Sequence, residues 1–170
     1  MNNITNKNQL SGFSLIEVLV ALVILSVGLL GLAGLQAASL RANQTSLQSS
    51  QAAILAYDMA DRVRANITNA TTNYHLPAAT PTASCLTTAG CTAAQLAQND
   101  MSQWNASLTQ ALPGGQGVIC VDSTPNDGDS ATDHDCDGDA SANLFAVKLW
   151  WDDDRNAATP NQLFFTSFRP

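Results

Sequence analysis

Glu17 is the lone glutamate among 14 acidic residues, and it stands in the run Phe13–Leu35, where only Ser14 and Ser26 otherwise interrupt an apolar sequence. An ionised carboxylate costs about 2.5–3.5 kcal/mol at a bilayer centre and less near the interface. Two readings follow from position alone. Glu17 snorkels to the headgroups, or it meets a cation. The leader before it, Met1–Gly12, is polar and carries Lys7. A cut between Gly12 and Phe13 would create a second cation, a free amine at the tip of the apolar run. A secretory signal is cut after a short apolar stretch of about 7–15 residues. Here the stretch is too long, and Ala37-Ala38-Ser39 beyond it matches such a cleavage site weakly.

Four cysteines, Cys85, Cys91, Cys120 and Cys136, lie beyond the apolar run. An even number in an exported region points to disulfides. Three pairings are open, of which the sequential one, Cys85 with Cys91 and Cys120 with Cys136, is the simplest. Zinc is a weaker reading, because there is no CxxC pair and His75 and His134 are not at ligand spacing. Carboxylates crowd the second pair, in Asn126-Asp127-Gly128-Asp129 and Asp133-His134-Asp135-Cys136-Asp137-Gly138-Asp139. Asp133, Asp135 and Asp137, with Gly138 sixth, match the first half of an EF-hand loop, and with Asp139 they form a candidate calcium set. Leu144 holds the twelfth place where such a loop has glutamate. The alternative is a solvated, self-repelling loop pinned by Cys136.

The elements that must position these groups follow from periodicity. Phe13–Leu35 as a helix, at about 1.5 Å per residue, is long enough to cross a hydrocarbon core of ~30 Å. Gly28, Gly31 and Gly34 suit close packing against other helices or local softening of the rod. Gln36–Ala65 has no Gly or Pro. Leu40, Leu47 and Ile54, then Leu55, Met59 and Val63, form a helical stripe expected to face the core. Arg62 and Arg64 suit the final turn, and the charges here read as a solvated face with local ion pairs. Residues 68–89 read as a loop. Thr92 is placed to cap a second helix over 93–112, with Leu96, Trp104, Leu108 and Leu112 on its apolar side. Strands are expected at Val118–Val121, Leu144–Trp151 and Leu163–Phe168. One of Trp150 and Trp151 is core by alternation, and the other is a candidate subunit contact.

The organisation is therefore a leader (1–12), a transmembrane or assembly helix (13–35), an amphipathic helix (36–67) and a disulfide-bonded domain (68–170). The expected fold class is α+β, a long N-terminal helix packed on a small antiparallel sheet. The formal charge is −7, and loss of the leader removes Lys7 and makes the chain one unit more acidic. No basic cluster suits nucleic acid. No nucleophile elbow, phosphate loop or HExxH motif points to an enzyme.

Gly12-Phe13-Ser14-Leu15-Ile16-Glu17-Val18-Leu19-Val20-Ala21-Leu22 resembles the class III leader junction of type IV pilins and type II secretion pseudopilins. The segment Leu55–Asn66, and Asp100, Trp104 and Leu108 before the Pro113-Gly114-Gly115 turn, resemble PilV-type minor pilins. The resemblance implies that prepilin peptidase cleaves after Gly12 and methylates the Phe13 amine. It implies that Glu17 pairs with such an amine, its own or a neighbour's. It further implies an inner-membrane precursor with a periplasmic domain, which leaves for a cell-surface pilus. The implied partners are other major and minor pilins, the assembly platform and a tip adhesin. Major pilins usually carry a proline in the second half of the apolar segment; this chain has none before Pro77. A minor type II pseudopilin, and a membrane-anchored calcium-binding or adhesive module that never polymerises, are the alternatives.

Overall fold

A computed structural model describes residues 14–154, 156 and 161–170. Helix α1 spans Leu15–Ala65, α2 Ala70–Asn73 and α3 Ala93–Ala111; strands β1 (Gln116–Val121), β2 (Phe145–Trp151) and β3 (Gln162–Phe168) follow. Short 3₁₀ turns lie at Ala83–Leu86 and Ala140–Ala142. The chain divides into two compact units, one up to Asn43 and one from Gln44 to Pro170.

The first unit is the N-terminal part of α1. Its apolar side chains are all exposed, Leu15 and Leu30 by 78% and 74%. Exposure on this scale is tolerable only in lipid or against other apolar surfaces. Ser26 does not interrupt the helix, because its hydroxyl donates to Val23 O at 2.8 Å. A Cβ on Gly28, Gly31 or Gly34 would meet nothing within 4 Å, so all three face open space on neighbouring faces of the helix.

In the second unit, Ala52, Ala56, Met59, Ala60 and Val63 of α1 are buried against α3 and one face of the sheet. The expected stripe is therefore only half right. Met59 and Val63 are core and Leu55 packs against it, but Leu47 and Ile54 are 59% and 68% exposed. Leu40 is exposed as well. Ala52 and Ala56 form the inward face instead, where small side chains let the helix backbone approach the aromatic residues of the sheet.

Asn66 ends α1. Its N–H donates to Arg62 O at 3.1 Å, and its side-chain amide donates to Ala93 O at 2.8 Å, tying the helix end to the start of α3. The segment after it is not all loop: α2 and the first 3₁₀ turn interrupt it. Helix α3 starts with a capping box. Thr92 Oγ1 accepts from Gln95 N–H at 3.2 Å, and Gln95 Oε1 accepts from Thr92 N–H at 3.0 Å. Trp104 of α3 donates its indole N–H to Leu55 O at 2.8 Å. Its ring lies so close over Gly117 of β1 that no Cβ fits there.

The sheet is antiparallel in the order β1-β2-β3. Val118 faces Lys148, and Lys148 faces Phe165. Every residue of β2 is buried. Phe145, Val147, Leu149 and Trp151 join the core beneath α1 and α3, while Ala146 and Trp150 join a second cluster with Val118 and Cys120. The second face is covered because the loop from Asp122 to Leu144 lies over it. Neither tryptophan is thus a free subunit contact: Trp150 is 1% and Trp151 3% exposed, and Trp150 donates to Gly128 O of the covering loop.

Candidate functional site

The first candidate site is the start of α1. Gly12 and Phe13 lie outside the described residues. Glu17 sits in the first helical turn, its N–H donating to Ser14 O at 3.0 Å. The positive end of the helix dipole favours a carboxylate at this place. Glu17, Val18, Ala21, Leu22 and Leu25 line a shallow, mainly apolar groove along the helix. Leu15–Ala65 is also a helix long and apolar enough to cross a membrane by length and composition.

The second is the acidic loop, which the structure builds around a residue that sequence reasoning missed. Lys148, in the centre of β2, is fully buried. Its ammonium lies 2.7 Å from Asp122 Oδ2, also fully buried, and pairs with the Asp127 carboxylate. It donates to His134 O at 2.8 Å. Burial alone would lower the Lys148 pKa, but Asp122 and Asp127 outweigh it and the net direction is upward. The Lys148 hydrogen bond holds the Asp127 carboxyl below its usual range. One signal for this was legible: Lys148 interrupts the apolar strand Phe145–Trp151, and a lysine there must find carboxylates.

The candidate calcium residues are used singly. Asp137 accepts from Ser123 N–H at 3.2 Å, from the Ser123 hydroxyl and from Asp139 N–H at 2.9 Å; the Ser123 hydroxyl chiefly holds its pKa down. Asp139 accepts from Ser141 N–H at 2.9 Å. The Asp133 N–H donates to Ser130 O, and Asp135 sits at a left-handed φ of 50°. Among the described residues, carboxylate or sulfur atoms converge at Cys120, Asp122 and Cys136 and at Asp152, Asp153 and Asp154, whereas Asp133, Asp135, Asp137 and Asp139 form no such group. The cysteines are joined as Cys85–Cys91 and Cys120–Cys136, so Cys120 and Cys136 have no thiolate for a metal.

A third cluster joins α1 to α3. Arg62 pairs with Asp58 at 2.9 Å and with Asp100 of α3 at 3.2 Å, and Tyr74 donates to Asp100 at 2.6 Å. Arg62 is therefore not confined to local pairing, although Arg64 pairs locally with Asp61. Burial, then the Asp100 hydrogen bond, push the Tyr74 hydroxyl well above its usual pKa. Each group has its partner inside the fold, which makes this cluster an architectural device.

Two family models match the chain. The prokaryotic N-terminal methylation motif covers residues 7–33, and the type IV pilin Tt1218 family covers residues 34–102. No curated protein and no solved structure matches. The methylation motif contains Gly12, Phe13 and Glu17, and the pilin match takes in the rest of α1 and the start of α3. A leader motif of this kind implies processing by prepilin peptidase, and the apolar helix implies membrane anchoring of the precursor. A segment similar to a prepilin-type methylation motif thus runs directly into a segment similar to the type IV pilin Tt1218 family.

Proposed function

We propose that the protein is a PilV-type minor pilin of a type IV pilus, working in pilus assembly and initiation by bundling its N-terminal helix with those of other pilins. The observation that carries this reading is the exposed apolar surface of α1 from Leu15 to Leu35 with one carboxylate in its first turn. In lipid, that surface is solvated by acyl chains. On extraction, the same side chains exchange lipid for neighbouring helices, and Glu17 sets axial register by meeting a processed Phe13 amine. The precursor sits in the inner membrane with its disulfide-bonded domain in the periplasm, where cystine is stable.

The test is Glu17→Ala. The variant should insert into the membrane as wild type does and be depleted from sheared pili. Normal amounts in sheared pili would contradict the proposal. Deletion should impair twitching; loss of exoprotein secretion with twitching intact would assign the chain to a type II secretion filament instead. Calcium at Asp133, Asp135, Asp137 and Asp139 is a separate proposal resting on spacing, and it requires Asp137 and Asp139 to redirect their oxygens. Titration calorimetry showing no heat at millimolar calcium would end it.

A further inference from the structure

The two edges of the sheet are treated differently. The outer edge of β1 is covered: Leu76 N–H donates to Ile119 O at 3.0 Å, Val121 N–H donates to His75 Nδ1 at 3.2 Å, and Gly138 N–H donates to Val121 O at 3.1 Å. Ile119 and Val121 are thus the residues whose backbone groups point away from β2. Antiparallel ladders alternate bonded and non-bonded pairs. Carried through the register, that alternation turns the N–H and C=O of Leu163, Phe165 and Ser167 away from β2 on the far edge of β3. These backbone groups have no hydrogen-bond partner among the described residues.

The open edge lacks the usual protection. Gln162–Phe168 contains no charge and no proline, and it pairs one to one with β2 without a bulge. Edge strands are ordinarily blunted by one of these devices. Phe165, whose backbone points outward, also leaves its ring 37% exposed. The flanking charges differ in sign. Asp152 and Asp153 follow β2 at the end where Trp151 faces Gln162, and Arg169 follows β3 at the opposite end, where Arg64 lies 4.9 Å over the Phe168 ring.

We propose that β3 is a strand-addition edge occupied by β3 of a second copy of this chain, running antiparallel. Leu163, Phe165 and Ser167 are symmetric about Phe165, so a two-fold axis there pairs Leu163 with the second copy's Ser167 and Phe165 with its own equivalent. Each outward N–H then finds an outward C=O. Antiparallel pairing sets the Arg169 of each copy toward the Asp152 and Asp153 of the other, whereas parallel pairing sets like charges together. Such an interface is isologous and closes at two copies. It does not depend on the filament reading, since it uses no residue of the apolar helix.

The test uses the full-length chain in detergent. Phe165→Pro removes an outward N–H together with the ring but takes no donor from the β2–β3 ladder, so that ladder survives while strand addition is blocked. Sedimentation at micromolar concentration should give a dimer for wild type and for Glu17→Ala, and a monomer with an unchanged circular dichroism spectrum for Phe165→Pro. Arg169→Asp should weaken the dimer by about tenfold, and combining it with Asp152→Lys and Asp153→Lys should restore it. The charge variants decide the matter should Phe165→Pro disturb folding. A wild-type monomer, a dimer indifferent to both Phe165→Pro and the charge reversals, or association only with a different subunit would each overturn the proposal. Failure of Glu17→Ala to enter pili leaves this result untouched, which keeps the two readings separable.

Discussion

Lys148 holds the second face of the sheet together. Ammonium and carboxylates taken out of water must pay desolvation through their mutual attraction, so removing one partner costs more than the pair contributes. Lys148→Met keeps the stem and removes the charge, leaving Asp122 buried without its counter-ion. It should destabilise the domain by about 3–5 kcal/mol, read as a lower urea midpoint. The direction of the pKa shifts sets the pH dependence. Lys148 is raised in the folded state, so its contribution is complete below its unfolded pKa near 10.5 and is lost as pH climbs through the higher folded value. Tyr74 is also raised and fails in the same alkaline direction. Asp127 and Asp137 are lowered, so their contributions are complete above 3.8 and are lost as pH falls through their folded values. Stability measured against pH should therefore drop at both extremes. In Lys148→Met, the part of the acid-side loss that comes from Asp127 should shrink; an unchanged acid limb would show that the Lys148 pairing does not control Asp127.

Strand β2 and the loop from Asp122 to Leu144 behave as one element. The loop is clamped at three kinds of point: the Cys120–Cys136 disulfide, the Lys148 ion pairs and the Trp150–Gly128 hydrogen bond. Closing a loop of this length restricts the unfolded chain by about 3 kcal/mol in the chain-entropy model. Replacing Cys120 and Cys136 together by serine should cost about 2–5 kcal/mol and raise amide exchange along the loop before exchange rises in α3. Simultaneous loss of protection in both would show that the loop is not a separate cooperative unit. The α3–β1 contact is equally specific. Gly117→Ala drives a methyl into the Trp104 ring and should cost about 1–3 kcal/mol by overpacking. A melting temperature equal to wild type would mean that Trp104 moves aside freely.

The whole chain has two solvation problems with different solutions. The unit from Gln44 onward encloses its own core, so a chain starting there should be soluble and unfold in one cooperative transition. An aggregated product would show that the domain needs the preceding helix. The N-terminal part of α1 encloses nothing, and its apolar surface must be met by lipid or by other helices. Mass analysis of protein from sheared filaments should find a chain beginning at Phe13 with a methylated amine. A chain retaining Lys7 would leave only a tethered acidic domain.

The local information in the chain settled more than its length suggests. An apolar run of membrane length marks the long first helix, because hydropathy is summed along the chain and needs no partner. Thr92 with Gln95, the strand patterns and the turn at Pro113-Gly114-Gly115 are likewise local, and their elements lie within a residue or two of expectation. What stayed hidden depends on contacts distant in sequence. Which stripe of α1 faces the core depends on the shape of the aromatic sheet opposite it, and there Ala52 and Ala56 fit where Leu47 and Ile54 do not. Whether the acidic loop floats or folds depends on a lysine that approaches it only when β2 forms. Which edge of the sheet stays open depends on where residues 75–76 and Gly138 come to rest, since backbone hydrogen bonds across an edge carry no signature of side-chain type.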